Sequence, residues 1–482
     1  MKISTIIKYS FLTAISFISL SSCSDEFLDR KPLGIATEGE AGIGGAEARI
    51  FGLYSQLRTE GGVTDWTRHW FQSIRSDDAM KGSIPADASA MGNIMDNFQY
   101  SKTEGTAVAN WNGHYKLIFA CNSVIEDIET IQNPDAATLI NLGEAKAMRA
   151  FAYFDLRRDY GEVPLIIKKV VNPQDEIKAK SSVAEVDALI KSDLQFAASV
   201  LPTDWASQKG RATRGMALSY LAKLALYQKS WGEALAFAET VINSNVYSLF
   251  PSYATLFTDA GDNRSESIWE VQFARINKVN YSNNYWESQG VRGSGSWDLG
   301  WGFNVPTSNL VNAYEPGDTR KNATILASGG PEGVPSSLSS IQPYWNKKAY
   351  TDPTRRLQEG ENKNHWTNIK LMRYADVILM AAEAANETGN TAKAITYINL
   401  IRTRASLPNT LATTQAQLRD VLKQERRVEF GMEGERFYDL VRWGDAVTVL
   451  GPLGYQDRNK YFPIPQTAID KAQGVLIQNP NY

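Results

Sequence analysis

RATRGMALSYLAKLALYQKSWGEALAFAETVIN, residues 211 to 243, decides the fold class. Met216, Tyr220, Leu224 and Tyr227 recur at the spacing of one helix face, Lys229 to Trp231 interrupt them, and Ala234, Leu235, Ala238 and Ile242 resume the pattern. Two helices joined by so short a break fold back on each other as a hairpin. The same logic governs LMRYADVILMAAEAANETGNTAKAITYINLIRTRA, residues 371 to 405. There Ala375, Ile378, Leu379, Ala382 and Ala385 lead to a stop at Gly389, and Thr391 opens a partner helix carrying Ala394, Ile395, Ile398 and Ile401. In GEAKAMRAFAYFDLRRDYG, residues 143 to 161, Ala145, Met148, Phe151, Ala152, Phe154 and Leu156 form a broad apolar surface before Gly161 and Pro164 end the helix.

The alanine seams and the length of about 34 residues per unit are similar to tetratricopeptide hairpins. The second and third units lie far apart along the chain, so the hairpins form no tandem solenoid and must meet in space around irregular insertions. SIWEVQF, residues 267 to 273, alternates like a short strand. Residues 277–306, 327–365 and, less sharply, 60–96 lack periodicity and read as long loops, a length that compact domains reserve for function. The expected fold class is therefore mainly α, with tetratricopeptide-like helical hairpins, long irregular ligand-binding loops and a few short strands.

Outward from the helices, the N-terminus has its own grammar. Lys2 and Lys8 precede an apolar stretch from Tyr9 to Leu20, and Leu20-Ser21-Ser22-Cys23 follows. Twelve residues of helix reach about 18 Å, short of the roughly 30 Å hydrocarbon core, so the stretch reads as a signal peptide over residues 1–22. The tetrapeptide is similar to a bacterial lipobox, which makes Cys23 the lipidation site and the new N-terminus. Several acyl chains on one residue anchor firmly, at about 0.8 kcal/mol for each buried methylene. The chain's other cysteine, Cys121, lies on an apolar helical stripe with Leu117, Ile118, Val124, Ile125 and Ile128, so it reads as a small buried core residue.

Composition excludes some partners. The formal net charge is −3, and no basic block offers an electrostatic footprint for nucleic acid. Three histidines, His69, His114 and His365, show no paired metal spacing, and no phosphate-binding glycine loop or nucleophile elbow is present. No cofactor or metal is expected. FTDAGDNRSE, residues 257 to 266, carries Asp259, Asp262, Asn263 and Glu266, lacks the spacing of a calcium loop, and reads as a hydrated turn. In QERRVEFGMEGERFYDLVRWG, residues 424 to 444, acids and arginines interleave as ion pairs between helices do.

What remains is a surplus of aromatics: 12 Trp, 21 Tyr and 18 Phe. Sugar rings present an apolar face and a hydroxyl rim, and flat aromatics beside Asn, Asp, Gln and Arg suit both. NYSNNYWESQGVRGSGSWDLGWGFN, residues 280 to 304, holds that mixture: Tyr281, Tyr285, Trp286, Arg292, Trp297 and Trp301 beside Asn283, Asn284 and Asp298. A second patch, residues 64 to 80, offers Trp66, Trp70, Arg75, Asp77 and Asp78. The alternative for every ring is that it pins a helix-poor segment to the core. Trp345 and Trp366 are weaker candidates, and Trp231 and Trp443 read as structural.

Eight segments in order resemble the SusD/RagB-like nutrient-binding outer-membrane lipoproteins: SCSDEFLDRKP, AKAMRAFAYFDLRRDYGEVPLI, RATRGMALSYLAKLALYQKSWGEALAFAETVI, ESIWEVQF, VPTSNLVNAYEPGDTRK, IKLMRYADVILMAAEAANETGN, QERRVEFGMEGERFYDLVRWG and NKYFPIPQTAI. The resemblance covers nearly the whole chain. It implies one such domain over 23–482, with an N-terminal part about 23–250 and a C-terminal part about 265–482. It also implies a passive glycan receptor without catalysis, carried on the outer face of the outer membrane, with Asp25 and Glu26 as its export signal. The implied partner is a SusC-like TonB-dependent barrel. Two other functions stay open at this point. One is a surface glycoside hydrolase, for which two suitably spaced carboxylates would suffice. The other is a scaffold that binds only the barrel.

Overall fold

The structure, a computed structural model, describes residues 43–482; the signal peptide, Cys23, Asp25 and Glu26 lie outside the described residues. Helix α1 (Ile43–Leu57) is followed by α2 (Gly105–Glu129), α3 (Ala136–Tyr160), α4 (Val183–Val200), α5 (Arg214–Tyr227) and α6 (Trp231–Asn243). After a long excursion come α7 (Tyr374–Glu387), α8 (Thr391–Arg404), α9 (Gln415–Glu429) and α10 (Arg436–Trp443). From α2 to α6 each helix packs on the next, α6 packs on α7, and α7 packs on α8 and α9. The hairpins are thus stacked without a gap in space although 130 residues separate α6 from α7 in the chain.

Local chemistry explains each boundary. The Thr213 hydroxyl accepts from the Met216 N–H at the start of α5, Asp135 caps α3, and Ser182 with Glu185 forms a capping box on α4. Gly161, at φ +75°, ends α3, and Asn390 supplies the capping oxygen for α8. Helix α5 is buried from Gly215 to Leu226 and α7 from Tyr374 to Asn386. Their alanines, Ala217, Ala222 and Ala225 on α5 and Ala375, Ala381, Ala382 and Ala385 on α7, are what lets helices approach on every side. Cys121 is fully buried on α2, and burial pushes its thiol up, as befits a core residue.

Strands are few and short. Each of the four ladders among the described residues is an antiparallel pair: β1 (Ala79–Gly82) with β5 (Phe303–Pro306), β2 (Ser267–Val271) with β8 (Ile369–Arg373), β3 (Ala274–Ile276) with β4 (Val279–Tyr281), and β6 (Ile325–Ala327) with β7 (Tyr344–Asn346). The expected strand at 267–273 is therefore β2, in register Ser267 to Arg373 and Val271 to Ile369. The segment 277–306 is not wholly loop, since β4 and β5 lie in it. The 60–96 segment carries β1 and a π-helical turn, Trp70–Ile74.

A buried ion network ties the parts together. Arg426 of α9 bridges Asp376 of α7 and Asp439 of α10 at 2.8 Å each. Glu429 accepts from Arg373, Arg404 and Arg320, and Arg373 also holds Glu266 and Glu433. Residues 424–444 are thus paired, as their charge pattern implies. The expected hydrated turn at 257–266 is corrected: Glu266 is fully buried between Arg373 and Arg404, and Asp262 and Glu270 share Lys370. Acids in a turn look solvated in sequence, but here their counter-ions arrive from about 100 residues downstream.

Candidate functional site

The loop between Ser282 and Gly302 is closed by its own backbone. The Trp301 N–H donates to Glu287 O at 2.9 Å, the Gly302 N–H to Gly290 O at 2.9 Å, and the Leu299 N–H to Val291 O at 3.0 Å. Glycine at 300 is required by this closure, because a Cβ there would sit 1.9 Å from Glu287 O. Anchors fix the loop from below. The Trp286 Nε1 donates to Thr367 O at 2.8 Å, and Gln289 Oε1 accepts from Asn304 and Asn346 at 2.7 and 2.9 Å. Trp345, fully buried, packs with Val291, Leu299, Val305, Leu326 and Val334 under the loop's far end.

On this support two aromatic groups reach the surface. Trp66 and Trp301 are half-buried, with centroids 6.3 Å apart and planes at 65°. Polar groups rim them. Trp301 Nε1 donates to Glu287 at 3.3 Å, Lys363 stands 3.6 Å from the same carboxylate, and Asn284 Nδ2 donates to Glu60 at 3.3 Å. Tyr281, 42% exposed, lies on β4 with the Arg58 guanidinium 5.8 Å from its centroid. In the second group Trp297 stacks on Tyr350 at 6.2 Å and 20°, and Arg356 lies against both rings and donates to Ser296 O. Arg292 is half-exposed and paired with Asp87 at 2.6 Å. Indole faces with donors and acceptors at their edges can stack on a pyranose and bind its hydroxyls.

Of the residues expected at a site, the structure brings Trp66, Trp301, Trp297 and Arg292 to the surface and places six inside. Trp70 is 1% exposed and packs on Phe303, 5.0 Å between centroids. Arg75 is fully buried, bonded to Asp159 at 2.7 Å and caged by the rings of Phe437 and Phe462 at 4.0 and 4.6 Å. Asp77 accepts both arms of Arg436 at 2.8 and 2.9 Å, and Asp78 pairs with Arg427 at 2.8 Å. Against its burial, Arg436 and Arg427 hold the Asp77 carboxyl below its usual range. Tyr285 and Trp286 are buried as the loop's roots. For Arg75, Asp77 and Asp78 the physical reason is common: segment 64–80 crosses from α3 to α9 and α10, so its charges meet partners instead of solvent. Trp345 and Trp366 are buried too, and Trp443 Nε1 is bonded to Glu383 at 2.9 Å.

Sequence reasoning missed Glu60, Glu287, Tyr350, Arg356 and Lys363. No local pattern marks them; Asn284 and Glu60 meet across 224 residues. Burial lowers His69 to about 3 and depresses His365, so both rings near the loop are neutral at ordinary pH. Among the described residues no three His, Cys, Asp or Glu side chains converge as a metal site.

With that geometry in place, comparison with known proteins is informative. A model described as the SusD family matches residues 265–482, and one described as starch-binding, associating with the outer membrane, matches residues 54–226. SusD-like protein P2 of Formosa agariphila is 26% identical over 98% of this chain and all of its own length. A SusD-like protein of Bacteroides ovatus is 28% identical over 89% of this chain and 81% of its own. Among solved structures, a laminarin-binding SusD-like protein superposes with a TM-score of 0.77 at 26% identity, covering 91% of this chain and 99% of that one. Surface glycan-binding protein A of Bacteroides thetaiotaomicron, in complex with laminarihexaose, gives a TM-score of 0.75 at 24% identity, covers 91% and 99%, and speaks to the fold.

Proposed function

The chain belongs to the SusD/RagB family, and from that premise we propose that it is a non-catalytic glycan receptor of the outer membrane. In this reading it is anchored on the outside through acylated Cys23 and passes oligosaccharides to a SusC-like TonB-dependent barrel. The observation that carries the reading is the Trp66–Trp301 pair, held half-exposed by a glycine-closed loop and rimmed by Glu287, Asn284 and Glu60.

Such a surface works by addition. Each sugar ring laid on an indole removes apolar C–H surface from water, and each net hydroxyl hydrogen bond adds about 1 kcal/mol. Micromolar affinity corresponds to about 8 kcal/mol, so several contacts must act together. Because the loop's backbone bonds fix Trp301 before ligand arrives, and the Asn284 N–H bond to Asp65 ties the Trp66 segment to that loop, little ordering entropy is lost on binding. At the centre of the fold Glu425, Glu429 and Glu433 are each committed to arginine or lysine, which supports a structural use of these acids.

The test is affinity electrophoresis of the soluble chain lacking residues 1–23 through gels containing individual β-glucans, α-glucans, xylans, mannans and pectins. Retardation by at least one polysaccharide is expected, with retardation at least tenfold weaker in Trp66→Ala/Trp301→Ala at unchanged melting temperature. Equal retardation of the double variant overturns the assignment of the site, and free migration through every gel overturns glycan binding.

A further inference from the structure

Two hollows lie beside β2. One, of about 290 Å³, is lined by Trp205, Tyr247, Asn263 and Arg264; the other, of about 310 Å³, by Phe51, Tyr54, Arg58 and Gln272. They share a wall made of Lys209, Gly210, Arg211 and Glu270 and adjoin across it as a cleft in two parts, with the Arg211 guanidinium against Phe51 on one side and Trp205 on the other. Each half lies near the lower bound of about 300 Å³ for small-ligand sites.

The cleft is built rather than incidental. The Trp205 indole is fixed by its Nε1 donating to Ala212 O at 2.9 Å, and the Arg211 guanidinium lies 3.8 Å from its centroid. The Tyr247 hydroxyl meets Thr213 Oγ1 at 3.0 Å and passes so close to Gly215 that a Cβ there would stand 2.3 Å from it. Asn263 and Gln272 exchange amide hydrogen bonds of 2.7 and 3.1 Å, and Gln272 is also bonded to Glu270 O and Asn368, which holds the Asn263 amide in place with capacity to spare. Most of the charge is compensated: Lys209 pairs with Asp204, Arg211 with Glu144 and Glu47, and Glu270 with Lys370. Arg264 and Arg58 have no carboxylate partner among the described residues, but they line different hollows, so neither hollow gathers the cations an anion site needs, and a lipid site needs an apolar lining. Half-exposed rings, the Asn263 amide and dispersed charge suit a neutral, hydroxyl-bearing ring.

We propose that the Trp205–Tyr247–Phe51 cleft is a second saccharide-binding site, taking a neutral hexose oligosaccharide separately from the Trp66–Trp301 surface. The proposal rests on the glycan-receptor reading. Arg58 borders the cleft, and Glu60, two residues on, rims the first surface. Two weak sites on one polymer multiply in avidity, as a receptor that must retain a long chain requires.

The test uses the soluble chain with its tryptophans replaced by 5-fluorotryptophan, the Trp205 fluorine signal being assigned from Trp205→Phe. Maltohexaose, cellohexaose and laminarihexaose are titrated in turn, into wild type and into Trp66→Ala/Trp301→Ala. The expected result is a saturable shift of the Trp205 signal with at least one hexaose, retained in the double variant and weakened at least fivefold by Phe51→Ala/Arg264→Ala. Shifts at Trp66 and Trp301 with the Trp205 signal still overturn the second site and leave the receptor reading intact. A Trp205 shift that disappears in the double variant overturns its independence, and stillness of every signal with all three sugars overturns both readings for this sugar class.

Discussion

Asp155→Asn is the sharpest test of how this fold holds its surface segment. Asp155 of α3 is buried and accepts from Arg68 at 2.6 Å and Arg158 at 2.5 Å, with His114 Nε2 at 3.6 Å. Arg68 lies two residues from Trp66, and Asp155 is the only carboxylate it reaches among the described residues. Burial alone would raise the Asp155 carboxyl, but Arg68 and Arg158 hold it well below its usual range. Asparagine keeps the shape and removes the charge, leaving Arg68 as a buried cation without a counter-ion and Arg158 with only Glu435 at 3.4 Å. Stranding one partner of a buried pair costs about 3–5 kcal/mol. Unfolding entropy near 2.1 cal/mol/K per residue, over roughly 440 residues, is about 0.9 kcal/mol/K, so the melting temperature falls by about 3–5 °C at pH 7. Adding Arg68→Met removes the stranded charge and restores part of the loss. The sign with pH follows from the depressed carboxyl: its stabilisation is complete above the unfolded value near 4 and is withdrawn as pH falls through the lower folded value, so the gap between wild type and variant closes in acid. Scanning calorimetry reads all three. A variant within about 1 °C of wild type, or a further additive loss on adding Arg68→Met, refutes the reasoning.

Three further outcomes are expected. Gly300→Ala, whose Cβ would meet Glu287 O at 1.9 Å, opens the loop and weakens glycan retention at least tenfold, read by affinity electrophoresis, while the melting temperature falls by only a few degrees. Asp77→Asn breaks the bidentate bond to Arg436 and lowers the melting temperature by about 2–4 °C, yet leaves glycan retention within twofold, because Asp77 serves the frame. Glycan affinity measured by calorimetric titration is flat between pH 7 and 8, since burial lowers both His69, to about 3, and His365. Buried neutral His69 instead makes stability fall as pH drops from about 6.5, where the unfolded ring takes its proton, toward 3.

The helices were legible because their evidence is local. The apolar spacing of Met216, Tyr220 and Leu224 and the stops at Gly161 and Gly389 involve neighbours within a turn or two, and α5, α3 and α7 follow them. The stacking of α6 on α7 was legible only as a necessity, since nothing in residues 244–373 says where the chain returns. The site was half legible. Aromatic and polar composition led to the 280–304 loop, but which ring faces water depends on partners far away in the chain. Arg75 finds Asp159 and Tyr438, Asp77 finds Arg436, and Trp286 finds Thr367. Trp66 and Trp70, four residues apart, meet edge to face at 6.4 Å, yet Trp70 is buried against Phe303 while Trp66 stays half-buried.

The central assertion is that Trp66 and Trp301 form the platform on which a sugar rests. A crystal structure of the soluble chain grown with oligosaccharides of whichever polysaccharide retards it tests that directly. The account predicts a pyranose ring stacked on one of these indoles, with its hydroxyls within hydrogen-bond reach of Glu287 or Asn284. Saccharide bound elsewhere, with both indole faces bare at saturating ligand, contradicts it.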